Sequence, residues 1–198
     1  MTRRTREQML DETRRLLLDA GRQFFGTVGY AATSMDQLTD SVGLTRGALY
    51  HHFGGKSGLF AAVVAAVDAE IDTELDQITA QAPDPLAALA ERGAAYIELT
   101  QAPEVQQLLF HDAPAVLPHA VETSTAACIA SIARLIEAGQ TAELIPTTVP
   151  PEAPAVLING ALVDASRWVT AAPEDQHTER RRQATEGARV LITGLGGR

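Results

Sequence analysis

Cysteine, lysine, long apolar runs and alternating strand patterns are all scarce or missing in this sequence. The one cysteine, Cys128, excludes an intrachain disulfide, and a lone thiol fits a reducing compartment. Lys56 is the only lysine, so arginine supplies every other fixed cation. No stretch of about 18 uncharged apolar residues occurs, and no membrane span is expected. The opening residues, Met1 to Glu7, lack the apolar core of a secretion leader, so a cytoplasmic protein is expected. The five histidines (His51, His52, His111, His119, His177) lack metal-ligand spacing, and no glycine-rich phosphate loop follows a strand. Cys128 sits among alanine and isoleucine, a setting for a buried small residue more than for a nucleophile. Catalysis is not expected, and neither is a metal or cofactor.

What remains is a chain of 198 residues, 45% hydrophobic and 21% charged, long enough to bury a core without covalent staples. The net charge is −9, and it is unevenly spread. Residues 1–60 hold eight basic and six acidic side chains, for +2, and the remainder holds eight against 19, for −11. A locally basic head on an acidic body suits a protein that touches a polyanion at one end only. An ordinary acidic protein with a chance fluctuation has the same totals.

Alanine, leucine, glutamate, glutamine and arginine dominate, and the apolar spacing is helical nearly throughout, so the fold class is all-α. A first helix is predicted over 6–26, with Leu10, Leu17, Ala20, Phe24 and Phe25 on its buried stripe and a break over 26–32 in which Gly29 takes a left-handed conformation. Thr33 is the expected cap of a short helix over 34–41, and Thr45 that of another through His52. A long helix is predicted over 56–80, followed by helices over 85–101, 104–112, 118–140, 152–172 and 174–194. Pro103, Pro114, Pro118, Pro173 and the Pro/Thr segment 145–151 mark the breaks. The natural division is a helix-turn-helix head, residues 1–55, and a helical body, residues 56–198.

Residues 33–53 read as helix, glycine turn, helix. Met35, Leu38, Val42, Leu44, Leu49 and Phe53 can hold the two helices at a steep angle. The opposite face of the second helix then projects Thr45, Arg46, Gly47, Tyr50 and His51. A helix fits the major groove of B-form DNA, where an arginine offers a bidentate fork to guanine and a glycine lets the backbone approach the base edges. Tyr50, His51 and Thr45 can reach phosphates or a thymine methyl.

The run Gly43-Leu44-Thr45-Arg46-Gly47-Ala48-Leu49-Tyr50-His51-His52-Phe53, with Gly29-Tyr30 and Thr33-Ser34 before it and Lys56 after it, closely resembles the DNA-binding head of the TetR/AcrR family of transcriptional regulators. The likeness covers roughly residues 13–65. It implies phosphate contacts from Thr33, Tyr50 and His51, base or near-base contacts from Thr45, Arg46 and Gly47, and a phosphate clamp from Lys56. Arg3, Arg4 and Arg6 form a basic arm that either enters an adjacent minor groove or stays a solvated leader.

The resemblance also implies a body that pairs with its symmetry mate and encloses an effector. Val156, Leu157, Gly160, Ala161, Asp164 and Ala165 on one helix, and Ala184, Gly187, Ala188, Leu191 and Leu195 on the next, carry small residues at three- and four-residue spacing that permit close helix approach, although such residues also fill ordinary cores. Polar or aromatic side chains amid apolar helices nominate a pocket: Tyr96, Phe110, His111, Asp112, Cys128, Asn159 and Trp168. The stretch Asp-Ala-Pro-Ala-Val-Leu over 112–117 is similar to one in some members and is expected to bend. The run Arg180-Arg181-Arg182 reads as a solvated or ion-paired face. The expected partners are a palindromic double-stranded DNA operator, a second copy of the chain and a small hydrophobic or aromatic effector, with no membrane. The expected function is that of a ligand-released repressor. The same fold acting as an activator, or as a protein-interaction module that has lost DNA binding, is the alternative.

Overall fold

The computed structural model describes residues 6–197, all of whose regular structure is helical. Arg3 and Arg4 of the basic arm lie outside the described residues. The helices are α1 (Arg6–Ala32), α2 (Met35–Ser41), α3 (Arg46–Phe53), α4 (Lys56–Gln81), α5 (Pro85–Leu99), α6 (Pro103–Val105), α7 (Ala113–Val116), α8 (Pro118–Thr141), α9 (Glu152–Thr170) and α10 (His177–Thr193). A π-helical turn, Gln106–Asp112, joins α6 to α7. The chain folds as two compact units, one made of residues up to Ala69 plus Ala102–Val121, the other of Glu70–Gln101 plus everything from Glu122 onward. This division differs from a cut between residues 55 and 56, because the start of α4 and the 102–121 segment pack with the N-terminal helices.

In the first unit, one leucine from each of four helices is wholly buried: Leu17, Leu38, Leu49 and Leu59. Phe25 and Phe60 meet edge to face at 5.1 Å, and Tyr30 lies 4.9 Å from Phe60. Leu10, predicted on the buried stripe, is instead exposed, because the first turns of α1 run past the core. The helix also continues beyond the predicted stop at Gly26, reaching Ala32 across a kink at Gly29 (φ 81°, ψ 165°), a conformation open only to glycine. The kink takes the Tyr30 N–H away from a helical acceptor, and the Asp112 carboxylate receives it at 2.7 Å. Gln107 donates to the same oxygen at 3.0 Å across the π turn. The wider π turn therefore has a purpose, bringing residues 107 and 112 together over the kink. Arg22 on α1 grips Glu104 at 2.6 Å nearby.

Pro114 does not break the chain as expected. It sits inside the helical run that continues from the π turn into α7, and the backbone on either side of it stays helical. The bend comes at Leu117 (φ −132°, ψ 51°).

The second unit buries Leu89 and Ile97 of α5, Ile132 and Ile136 of α8, Ile158, Leu162 and Val169 of α9 and Ile192 of α10 in one cluster. The unit also has two buried polar features. The Thr100 and Ser166 hydroxyls share a hydrogen bond of 2.9 Å, fully buried between the end of α5 and α9. Arg92 is buried, donates to Asp76 at 2.8 Å and to Thr79 at 3.3 Å, and has Asp72 at 3.9 Å. The 180–182 arginines are engaged: Arg180 stacks over Trp168 at 4.7 Å, Arg181 reaches Glu98 at 3.3 Å and Arg182 reaches Glu179 at 2.7 Å. The Arg182 hydrogen bond holds the Glu179 carboxyl down at about 2.

Gly58, in the first turn of α4, has no room for a side chain: a Cβ there would overlap the carbonyl oxygen of Phe53, the last residue of α3. Alanine is the better helix former by about 1 kcal/mol, so any loss on substitution isolates the steric contribution. Gly58→Ala is expected to cost more than about 2 kcal/mol through overpacking. That should lower the thermal midpoint by roughly 5 °C or more, read by circular dichroism. An unchanged midpoint would mean that α3 and α4 need not approach this closely.

Candidate nucleic-acid interface

An eight-residue helix is marginal on its own in water, so α3 owes its place to its caps and to Leu49, its single fully buried side chain. At its start, the Thr45 hydroxyl accepts from the Ala48 N–H at 3.3 Å. At its end, the Gly54 N–H returns to the Tyr50 carbonyl at 2.9 Å. Because Leu49 faces inward, the residues a half-turn away face out. Thr45, Arg46, Gly47, Tyr50 and His51 are all exposed, the Arg46 side chain by 54% and Tyr50 by 55%. At Gly47 a Cβ would meet only the Thr45 hydroxyl at 3.6 Å, so nothing inside the protein requires glycine there. His52 is half-buried and lies edge to face with His51 at 5.3 Å, and Phe53 carries Arg14 over its ring at 5.0 Å.

Around α3, two further predicted contact residues are placed differently from one another. Lys56 opens α4, its ammonium 4.7 Å above the Tyr30 ring and 3.3 Å from the Ala31 carbonyl. An ammonium has three protons, and this arrangement fixes its position while leaving capacity for an anion. Thr33 neither caps α2 nor faces solvent. It is only 4% exposed, and its hydroxyl donates to the Gly29 carbonyl at 2.7 Å. Its one hydroxyl proton is committed inside the kink, which argues against the phosphate contact assigned to it. Ser34 takes the cap, accepting from the Gln37 N–H, and so keeps its own proton available. The Thr-Ser pair offers two good capping residues in a row, and sequence alone does not choose between them. Sequence reasoning also missed Asp36 as a neighbour of the recognition arginine. Its carboxylate lies 3.4 Å from Arg46 Nη1.

In the second unit, the candidates on α9 and α10 separate into two groups. Val156, Leu157, Gly160, Ala161, Asp164, Gly187 and Leu191 are exposed, Leu157 by 74%. Ala184 and Ala188 are buried in the unit's own core, and Ala165 and Leu195 pack partly against it. Helical spacing puts Trp168 on the Leu157, Ala161 and Asp164 face, and it is 43% exposed. Its nomination as a pocket residue is thereby displaced: its indole lies under Arg180 at the surface. Val190, not singled out from sequence, is a further exposed apolar residue beside Leu191.

The other pocket candidates are divided between the units. Tyr96, Cys128 and Asn159 are half-buried in the second. Phe110, His111 and Asp112 belong to the first, where His111 is largely solvent-exposed 3.5 Å from Asp112 and Asp112 serves the α1 kink. Among the described residues, no three acidic, histidine or cysteine side chains gather as metal ligands would, and no helix is long and apolar enough to cross a membrane.

Known proteins share both halves of this arrangement. Residues 17–63 match the family described as "Bacterial regulatory proteins, tetR family", and residues 86–195 match "Tetracyclin repressor-like, C-terminal domain". The chain is 33% identical over 110 residues to the HTH-type transcriptional regulator AcrR of Shigella flexneri, a match that covers 55% of this chain and 51% of that one. It is 39% identical over 57 residues to an HTH-type transcriptional repressor of Mycobacterium tuberculosis, covering 29% of this chain and 30% of that one. The chain thus spans about half, or less, of these curated relatives. A solved TetR-family transcriptional regulator from Pectobacterium atrosepticum is 42% identical, covers 97% of each chain and superposes with a TM-score of 0.81. These relatives regulate transcription and are not enzymes. With both family matches and the helix-turn-helix geometry in place, the chain belongs to the TetR family of DNA-binding transcriptional regulators.

Proposed function

We propose that this chain is a homodimeric repressor that works in the cytoplasm and is released from a palindromic operator by a small hydrophobic or aromatic effector. The observation that carries this reading is the outward face of α3, where Arg46, Gly47, Tyr50 and His51 are exposed beside a buried Leu49. In this reading Arg46 contacts guanine and Thr45 and Gly47 line the base edges. Tyr50, His51, Lys56 and the Ser34 hydroxyl hold the phosphates. Thr33 acts from inside, by holding the kink.

One such helix buries too little surface for useful specificity, so two copies are needed. The pairing face is the exposed side of α9 and α10, built on Val156, Leu157, Gly160, Ala161, Val190 and Leu191. Apolar side chains this exposed on adjacent helices favour burial against a second copy. Asp164 and Gly187 flank the face, whereas Ala165, Ala184, Ala188 and Leu195 support it from within.

An effector would occupy the second unit near Tyr96, Cys128 and Asn159, the half-buried polar groups amid its apolar helices. DNA selects the dimer state whose recognition helices are roughly 34–36 Å apart, one turn of the duplex. An effector that binds another state more tightly withdraws the dimer from DNA, and α4, which contributes residues to both units, carries the change.

Arg46→Ala and Tyr50→Ala are each expected to weaken operator binding, Arg46→Ala by about tenfold or more, with the fold retained. An electrophoretic shift against duplexes enriched from a random library checks this, and undiminished binding by both variants would remove α3 from the groove. Leu157→Glu puts a charge in the pairing face and is expected to yield a monomer in light scattering. A variant that stays dimeric would move the interface elsewhere.

A further inference from the structure

Asp36 is placed oddly for a protein that meets a polyanion. It stands in the first turn of α2 with an exposed carboxylate, on the side where α3 presents Arg46. Exposed ion pairs add little to folding stability, and this one is long, 3.4 and 3.5 Å from Arg46 Nη1 to the two Asp36 oxygens. The pair itself therefore adds little stability, and what Asp36 contributes to folding comes from its place in the first turn of α2. The geometry of the pair does suggest a use for it. Both contacts are made by Nη1, on one side of the guanidinium, so Nη2 and Nε keep their hydrogens for other acceptors.

We propose that Asp36 is a positioning residue that buttresses Arg46 from behind, so that its remaining donors meet a guanine edge, and thereby sets base selectivity at one position of each half-site. This rests on the reading of α3 as the groove-entering helix. An arginine without the buttress pivots about several torsions and reaches a phosphate as readily as a base. Holding it beforehand removes part of the ordering cost of the specific contact. The carboxylate also cancels the local charge that would draw the same arginine to any phosphate, a penalty that falls on non-specific complexes. Helix α2 tolerates the carboxylate because its first turn favours negative charge.

The test uses the full chain. A tight-binding duplex is selected from a random-sequence library with the wild-type protein, and its single-base-pair variants and an unselected duplex of equal length serve as competitors. Asp36→Asn and Asp36→Ala are each expected to lower the selected-to-unselected affinity ratio by roughly fivefold, with affinity for the unselected duplex rising as a repelling charge is lost. The lost discrimination should concentrate on the base pair whose preference Arg46→Ala erases, and in an Arg46→Ala background Asp36→Asn should leave the ratio unchanged. An unaltered ratio in both single variants, or an equal fall with and without Arg46, would overturn the buttress. Wild-type protein that selects no duplex at all would instead overturn the DNA-reading helix on which the buttress depends.

Discussion

Full burial of Leu49 is the constraint from which the exposed face of α3 follows. The helix has eight residues and one wholly buried side chain, so its rotation about its own axis is set by where that leucine goes. Leu17, Leu38 and Leu59 are buried to the same degree in the same unit. A fully buried leucine is worth about 1.5–3 kcal/mol relative to exposure, far more than an exposed ion pair at about 0.2–1 kcal/mol. Packing therefore decides the orientation, and the polar contacts of Arg46 follow it. Any rotation that turned Arg46 and Tyr50 inward would bring Leu49 out.

A second requirement operates at the other end of the unit. Gly29 breaks the hydrogen-bond ladder of α1, and the Asp112 carboxylate, lent by a segment some eighty positions later, takes the orphaned Tyr30 N–H. Leaving that part-buried N–H unpaired would cost at most about 1–3 kcal/mol. The π turn over Gln106–Asp112 and the Arg22–Glu104 pair serve the same junction. The helix-turn-helix residues are consequently not a free-standing head in this chain. Their unit is completed by residues 102–121, and the first turns of α4 belong to it as well.

In the second unit the economy is different. Its core is aliphatic, with one buried hydroxyl pair, Thr100 with Ser166, and one buried cation, Arg92, held by acidic partners on α4. Outside that core, α9 and α10 keep apolar side chains at the surface, and their arginines are tied to carboxylates or to Trp168. Pairing those cations locally keeps the 180–182 run from acting as a second basic patch, in agreement with its reading as an ion-paired face.

The sequence by itself determined the all-α class, most helix limits and the family, because helical spacing and the dense run Gly43 to Phe53 are local properties of the chain. It also identified the outward residues of α3, since in a helix of that length one buried leucine implies its opposite face. Other features could not be read locally. Thr33 and Ser34 are equally good caps by type, and only the kink at Gly29 draws the Thr33 hydroxyl inward. Small residues on α9 and α10 look alike in sequence, and only helix rotation separates exposed Gly187 from buried Ala184 and Ala188. Asp112 reads as a pocket residue, and Asp36 only as an acid near the positive end of its own helix, because each acts on a backbone or side chain that the fold brings to it from elsewhere. Periodicity is written along one helix, whereas a partner across space exists only once the helices have packed.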